Sequence, residues 1–278
     1  MLTGHSDMSH NSAPTPELRI IPTQQLLAHE DHDSQRSEPL IERIRAEAYM
    51  INPPIVAPID DESYVILDGA NRVFAFSALS YPHILAQVAA YESGIVQLET
   101  WHHLVCAWNK YDFIQQLEAL PEIELVEGQH SHAIAHLMFR DEQLFALHAP
   151  VETIQERNAA LRRLVNVYQT SAVLHRTALN EPQDNWRLYP DAVALVFFPR
   201  YQPADIISAA RHRAFLPPGV SRHIVHGRAI RVNFPIDILC DATTSLDAKN
   251  DFLLRWMQDK LAKRHVRYYA EATYQFDE

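Results

Sequence analysis

The stretch that decides the fold is Val65-Ile66-Leu67-Asp68-Gly69-Ala70-Asn71-Arg72-Val73-Phe74-Ala75. An apolar run of strand type turns, at a single glycine, into a segment of helical type. Such a turn aims the first amide N–H groups of the helix at a common point, and the helix dipole adds partial positive charge there. Glycine is scarce in this chain, 6 of 278 residues, so its retention at Gly69 is informative. Arg72 falls in the first helical turn, where a guanidinium can fork onto the same phosphate oxygens that the amides contact. Asp68 could hold a magnesium ion or orient the loop. Taken alone, Asp68, Gly69, Ala70, Asn71 and Arg72 read either as a nucleotide-phosphate loop or as a plain strand-to-helix connection with Arg72 paired to a surface acid.

Working outward, short apolar runs alternate with helical patterns, which predicts mixed α/β (α+β) structure. Leu18 to Ile21 reads as a strand. Ser37 precedes Leu40, Ile44 and Ala48 at intervals of four, so a capped helix with one apolar face is expected, ended by Pro53 and Pro54. Ile55 to Pro58 and Tyr64 to Leu67 read as strands, Asn71 to Leu79 as a helix, and Ile84 to Tyr91 as a returning strand. Beyond Ser93 the pattern predicts a helix near Trp101 to Leu117, a hairpin from His132 to His148 turning at Asp141, and a helix from Glu152 to Tyr168. Ala192 to Phe198, Arg228 to Phe234 and Val266 to Phe276 read as strands; Pro203 to Arg211 and Leu246 to Lys263 read as helices. The expected organisation is a disordered tail over 1–16, a first domain over 17–92 and a C-terminal α/β domain over 93–278.

Hydrophobic residues form 47% and charged residues 21% of the chain, values of an ordinary globular protein rather than a disordered one. The apolar runs fall short of the roughly 18 residues that span a bilayer, and the first residues are polar, so a cytoplasmic protein with no membrane partner is expected. Only Cys106 and Cys240 are present, which fits buried thiols in a reducing compartment. A net charge of -11 makes DNA an unfavoured partner.

Against that acidity, Ile206 to Ile236 holds no acidic residue but carries Arg211, Arg213, Arg222, Arg228 and Arg231. This is either an anion site or a solvated basic strand pair. Arg222 and His223, after a Pro-Pro-Gly turn, would present donors to a carboxylate or phosphate. Glu30 lies in a polar loop and could take a proton from a hydroxyl nucleophile, although by itself it reads as an exposed acid. His102 and His103 point about 100° apart on the expected helix and do not share a metal ion; His130 and His132 lack the further ligands of a zinc site.

Gly69-x-x-Arg72-x-x-Ala75 after an apolar strand resembles the phosphate-binding box of the ParB/sulfiredoxin-like superfamily, and Ile20-Ile21-Pro22, the helix from Ser37 and Pro54-Ile55-Val56 follow the order of that module. Within the superfamily the chain is similar to free L-serine kinases, archaeal and siderophore-associated, over nearly its whole length. His29-Glu30 resembles that family's His-Glu pair, whose glutamate is the catalytic base. Thr100-Trp101-His102-His103 resembles its serine-binding segment, and Leu216 to His223 the segment whose Arg and His hold the substrate carboxylate. The resemblance implies phosphoryl transfer from ATP or ADP, with Mg²⁺, to L-serine, giving the O-phospho-L-serine that cysteine synthesis and siderophore assembly consume. It implies Glu30, Asp68 and Arg72 as catalytic, residues 68–72 on the nucleotide, and Thr100, Trp101, His102, Arg222 and His223 on the substrate. Two departures stand in the loop: the archaeal kinases carry histidines where Ala70 and Asn71 are found. Ala70 also replaces the cysteine that sulfiredoxin chemistry requires. The rival reading is a ParB-like nucleotide-binding regulator or metabolite sensor without kinase activity. A homodimer is expected only from the general behaviour of soluble proteins.

Overall fold

A computed structural model describes residues 15–31 and 34–269. The expected tail, apart from Thr15 and Pro16, and the part of the expected last strand beyond Tyr269 lie outside the described residues.

The first sheet is built from short segments on both sides of the Asp68–Arg72 loop. β1 (Glu17–Pro22), β2 (Leu26–Leu27), α1 (Ser34–Ala46), β3 (Tyr49–Met50), β4 (Ile55–Pro58), β5 (Tyr64–Asp68), α2 (Ala70–Ala78) and β6 (His83–Val88) follow in order. The strands lie in the order β1-β6-β4-β5-β2. β2 runs parallel to β5, with Leu26 beside Tyr64 and Leu27 beside Val65. The loop that follows β2 and the loop that follows β5 therefore leave the sheet at the same end. α1 begins one turn before Ser37 and carries Pro39 inside it.

The second sheet departs from the sequence reading at its centre. β7 (Val96–Thr100) and β8 (His102–Cys106) come first, and α3 (Lys110–Glu118) starts only at an Asn109 cap whose side chain accepts from the Asp112 amide. The expected helix near Trp101 is thus a strand over its first half. All five β8 residues are buried, and an apolar run buried on both faces has no alternation that separates it from a buried helix. β9 (Glu124–Glu127), the hairpin of β10 (Ala135–Phe139) and β11 (Leu144–His148), α4 (Ile154–Gln169), β12 (Val173–Thr177), α5 (Pro182–Leu188), β13 (Ala192–Phe197) and α6 (Pro203–Arg211) complete this half. The sheet order is β12-β8-β13-β10-β11-β9, antiparallel throughout.

The chain then crosses back. β14 (Ser221–Val225) pairs with β7, β15 (Phe234–Pro235) pairs with β3, and α7 (Ile236–Cys240) and α8 (Leu246–Ala262) follow. The expected strand over Arg228 to Phe234 is a loop, because Gly227, Arg231 and Asn233 all have positive φ and an extended ladder cannot run through them. Phe234, Ile236, Leu239 and Leu253 join the core of the first sheet. Asn250 on α8 accepts from the Ile20 amide at 2.9 Å and donates to its carbonyl at 3.0 Å. That side chain satisfies backbone groups that an edge strand leaves open. Among the described residues no helix is long and apolar enough to cross a membrane.

Candidate active site

Gly69 adopts φ +89, and a Cβ there would fall 2.9 Å from the Pro54 Cβ and 2.9 Å from Arg72 Nη2. Only glycine fits this turn without strain, and the turn is what brings α2 head-on to the end of β5. The Arg72 side chain donates to the Asn52 carbonyl at 2.5 Å and stands 3.5 Å from Asp68 Oδ2. The same Asp68 oxygen accepts from Arg228. Asp68, Arg72 and Arg228 are all partly exposed.

Glu30 is held from the other side of the molecule. Leu216 donates its amide to the His29 carbonyl at 2.8 Å and accepts from the Asp31 amide at 3.2 Å, clipping the two segments together. The Gly219 amide then donates to Glu30 Oε2 at 3.0 Å, and the Ser221 amide and hydroxyl donate to Oε1 at 2.9 and 2.6 Å. Ser221 Oγ also lies 2.7 Å from His29 Nε2. A carboxylate only accepts, so the one Ser221 proton goes to Glu30 and His29 must present Nε2–H to the Ser221 oxygen.

The histidines around this carboxylate are kept neutral by desolvation. Burial lowers the His29 pKa, against the opposing pull of Glu30, so the 3.8 Å approach of the two is not an ion pair at pH 7. His223, packed edge-on to His29 at 5.4 Å and bonded to the Tyr91 hydroxyl at 2.8 Å, is pushed down to about 3, mainly by burial. His103, fully buried between the Tyr168 hydroxyl and the Gly219 carbonyl at 2.8 and 2.9 Å, is pushed down to about 4 for the same reason.

The ribbon of β7 and β14 sorts the expected substrate residues onto two faces. Thr100 lies opposite Ser221, and Leu98 opposite His223; this face meets Glu30, His29 and Tyr91. Arg222 lies opposite Glu99, donates to it at 3.1 Å and stacks 4.6 Å over the Trp101 ring. Arg222 and His223 therefore do not converge as the sequence reading expects, since neighbours on an extended strand face opposite sides. His102 turns away as well, bonding Asn180 at 3.1 Å and packing on Phe197. Asp68, Gly69, Ala70, Asn71 and Arg72 stay together at the head of α2. Sequence reasoning missed Ser221, Tyr91 and Asn52. Ser221 lies within the quoted Leu216–His223 segment, yet nothing in its spacing announces a contact with a residue 191 positions away.

Among the described residues no cluster of three or more His, Cys, Asp or Glu side chains is arranged to hold a metal ion. Magnesium keeps several waters and takes one or two carboxylates together with substrate phosphates, and Asp68 is the residue that would hold it there.

No protein-family model matches the chain. The ATP-dependent L-serine kinase SbnI of Staphylococcus aureus is 24% identical over 270 residues, which cover 92% of this chain and 96% of the kinase. A ParB-like protein of Sulfolobus acidocaldarius is 25% identical over 213 residues, covering 76% of this chain and 92% of that one. A solved free serine kinase in complex with AMP shares the fold with a TM-score of 0.68, at 14% identity, over 81% of this chain and 95% of its own. The chain is thus similar in sequence to an L-serine kinase and to a ParB-like protein, and it shares its fold with a solved free serine kinase.

Proposed function

We propose that the protein is a free L-serine kinase that uses a nucleoside triphosphate, ATP by likeness to its kinase relatives, to make O-phospho-L-serine. The observation that carries this reading is Glu30: its carboxylate is fixed by two backbone amides and a hydroxyl. The loop that carries it leaves the sheet at the same end as the phosphate loop.

In the reaction, the serine hydroxyl oxygen forms a bond to the terminal phosphorus and the bond from that phosphorus to the bridging oxygen breaks. The hydroxyl proton passes to Glu30, and the nucleoside diphosphate carries away the bridging oxygen. Phosphoryl transfer asks a protein mainly for alignment and charge neutralisation. The amides at the head of α2 and the Arg72 fork hold the phosphates. Magnesium, held by Asp68, would neutralise phosphate charge. The neutral His29 donates Nε2–H to whichever hydroxyl oxygen sits on Glu30, which now is that of Ser221 and in the reaction is that of the substrate. Thr100 lies on the same face, next to that position. Arg222 lies on the other face of the ribbon, paired with Glu99, and is not assigned to the serine carboxylate. The absence of histidine at Ala70 and Asn71 leaves phosphate binding to the amides and guanidinium.

The test is phosphoserine formation, followed by mass, with serine, magnesium and ATP, and with ADP as the comparison donor. The parent protein produces it, and Glu30→Gln lowers kcat by about 10²–10⁴-fold, the usual contribution of a general base. Undiminished turnover in the variant removes Glu30 from the mechanism. No product with either donor, together with salt-sensitive DNA binding, would favour the regulator reading.

A further inference from the structure

Arg228 comes from the acid-free stretch of the C-terminal half, yet its guanidinium rests on Asp68 Oδ2 in the phosphate loop, an oxygen that Arg72 Nη2 also approaches at 3.5 Å. An exposed ion pair contributes little by itself, so the way Arg228 is mounted matters more than the pair.

Gln87, on β6, is 1% exposed. Its Nε2 donates to the Gly227 carbonyl at 3.1 Å and its Oε1 accepts from the Ala229 amide at 2.8 Å. Both ends of a buried amide are thus used on the two residues that flank Arg228. On the other side, Asn52 accepts from the Arg231 amide through its side chain at 2.8 Å and from Arg72 through its carbonyl at 2.5 Å. Val232 donates its amide to the Ile51 carbonyl at 2.8 Å. The loop is therefore pinned on both sides of Arg228, over the head of α2, while the guanidinium itself stays partly exposed. A side chain meant only for a surface ion pair needs no such mounting.

Resting on the phosphate-loop reading above, we propose that Arg228 is a further catalytic residue, an arginine supplied from the C-terminal half to the transferring phosphoryl group. With nucleotide in the loop, its fork moves from Asp68 to the terminal phosphate oxygens. Asp68 is thereby released, and the charge that builds on those oxygens as the phosphorus–oxygen bond breaks meets a donor already in place. Arginines in this role act mainly on the chemical step, and a planar fork is not replaced by the point charge of a lysine.

The experiment compares the full chain with Arg228→Ala and Arg228→Lys. Calorimetry with ADP and magnesium reads binding, and serine phosphorylation reads kcat and KM for serine separately. The alanine variant is expected to bind ADP about tenfold more weakly and to lose about 10²-fold or more in kcat, with KM for serine changed by less than about threefold. The lysine variant is expected to recover most of the binding and little of the kcat. Circular dichroism melting of each variant separates a folding defect from a site defect, and the exposed guanidinium predicts an unchanged midpoint. Parent-like binding and kcat in Arg228→Ala overturn the proposal, as does full recovery of kcat by lysine. If the parent makes no phosphoserine, the kinase reading fails separately. The arginine's contact with phosphate then stands or falls on the ADP affinity of Arg228→Ala.

Discussion

The two sides of the site are built on opposite electrostatic plans. On the side of the Asp68–Arg72 loop, Asp68, Arg72 and Arg228 stay partly exposed and pair with one another. On the acceptor side, His29, His103 and Ser221 are buried, burial lowers the pKa of both histidines, and the Glu30 carboxylate is surrounded by donors. The difference teaches where each cost is placed. Exposed charges lose little by waiting for a polyanion, because water solvates them meanwhile. A partly buried carboxylate meets few competing waters, and its neighbours depend on the fold for most of their hydrogen bonds.

Acid should break the acceptor side first and by the largest margin. In the fold His103 and His223 titrate at about 4 and about 3, against the ordinary histidine value of 6.5. Their contribution to stability is fully present above pH 6.5 and is lost as pH falls, because the unfolded chain then takes up protons that the fold refuses. Each costs about 1.4 kcal/mol per pH unit in that window. Between pH 6.5 and 4.5 the pair together should remove on the order of 5 kcal/mol. The shift at His29 has the same direction and adds to the loss. Urea midpoints measured from pH 7.5 to 4.5 check this, and His223→Gln should flatten the slope. An unchanged slope in that variant would mean that His223 is not the buried neutral group described.

A smaller effect belongs to the phosphate side. Gly69→Ala places a methyl group 2.9 Å from the Pro54 Cβ and 3.0 Å from its Cα, at φ +89. The Arg72 terminus can swing away, whereas the proline backbone cannot. Left-handed strain and the forced overlap together should cost about 2–3 kcal/mol, and the displaced loop should bind ADP more weakly. Gly94→Ala is the control: φ is +75, with nothing within 4 Å of the added Cβ. It should cost only the backbone strain, about 1 kcal/mol, and leave ADP binding alone. Equal costs for the two would mean that close packing at Gly69 is not what shapes the loop.

The same contrast explains what could be read in advance. The Asp68–Arg72 loop is contiguous, so its change from strand to helix at one glycine is visible in the sequence. The acceptor side is assembled by pairing over long separations, Glu30 with Gly219 and Ser221 and Tyr91 with His223, and local pattern carries no trace of it. Only the resemblance to serine kinases pointed to Glu30; the residues around it read as an exposed polar loop. Position in sequence also misled at Arg222 and His223, where adjacency suggested convergence and strand geometry separates them. The buried strand His102–Cys106 was hidden because burial on both faces erases the alternation that marks a strand. Asn250, which satisfies the edge of β1, sits in a helix whose apolar face was legible but whose docking partner was not.

The finest test of the comparison is Ser221→Ala. The hydroxyl is one of three donors to Glu30 and the acceptor for His29 Nε2–H. Its removal leaves both amides on the carboxylate, so Glu30 should keep its orientation, and kcat should fall by no more than about tenfold. The cost is concentrated on His29, whose Nε2–H loses its partner at a buried site, and should be about 1–2 kcal/mol in the urea midpoint. A phosphate-side change of similar size, Arg72→Lys, should instead leave the midpoint within about 0.5 kcal/mol, because the residue is partly exposed, and weaken ADP binding. If Ser221→Ala left the midpoint unmoved, the hydroxyl would not be what satisfies His29. The contrast between a solvated loop and a buried side whose contacts hold one another would then lose its physical basis.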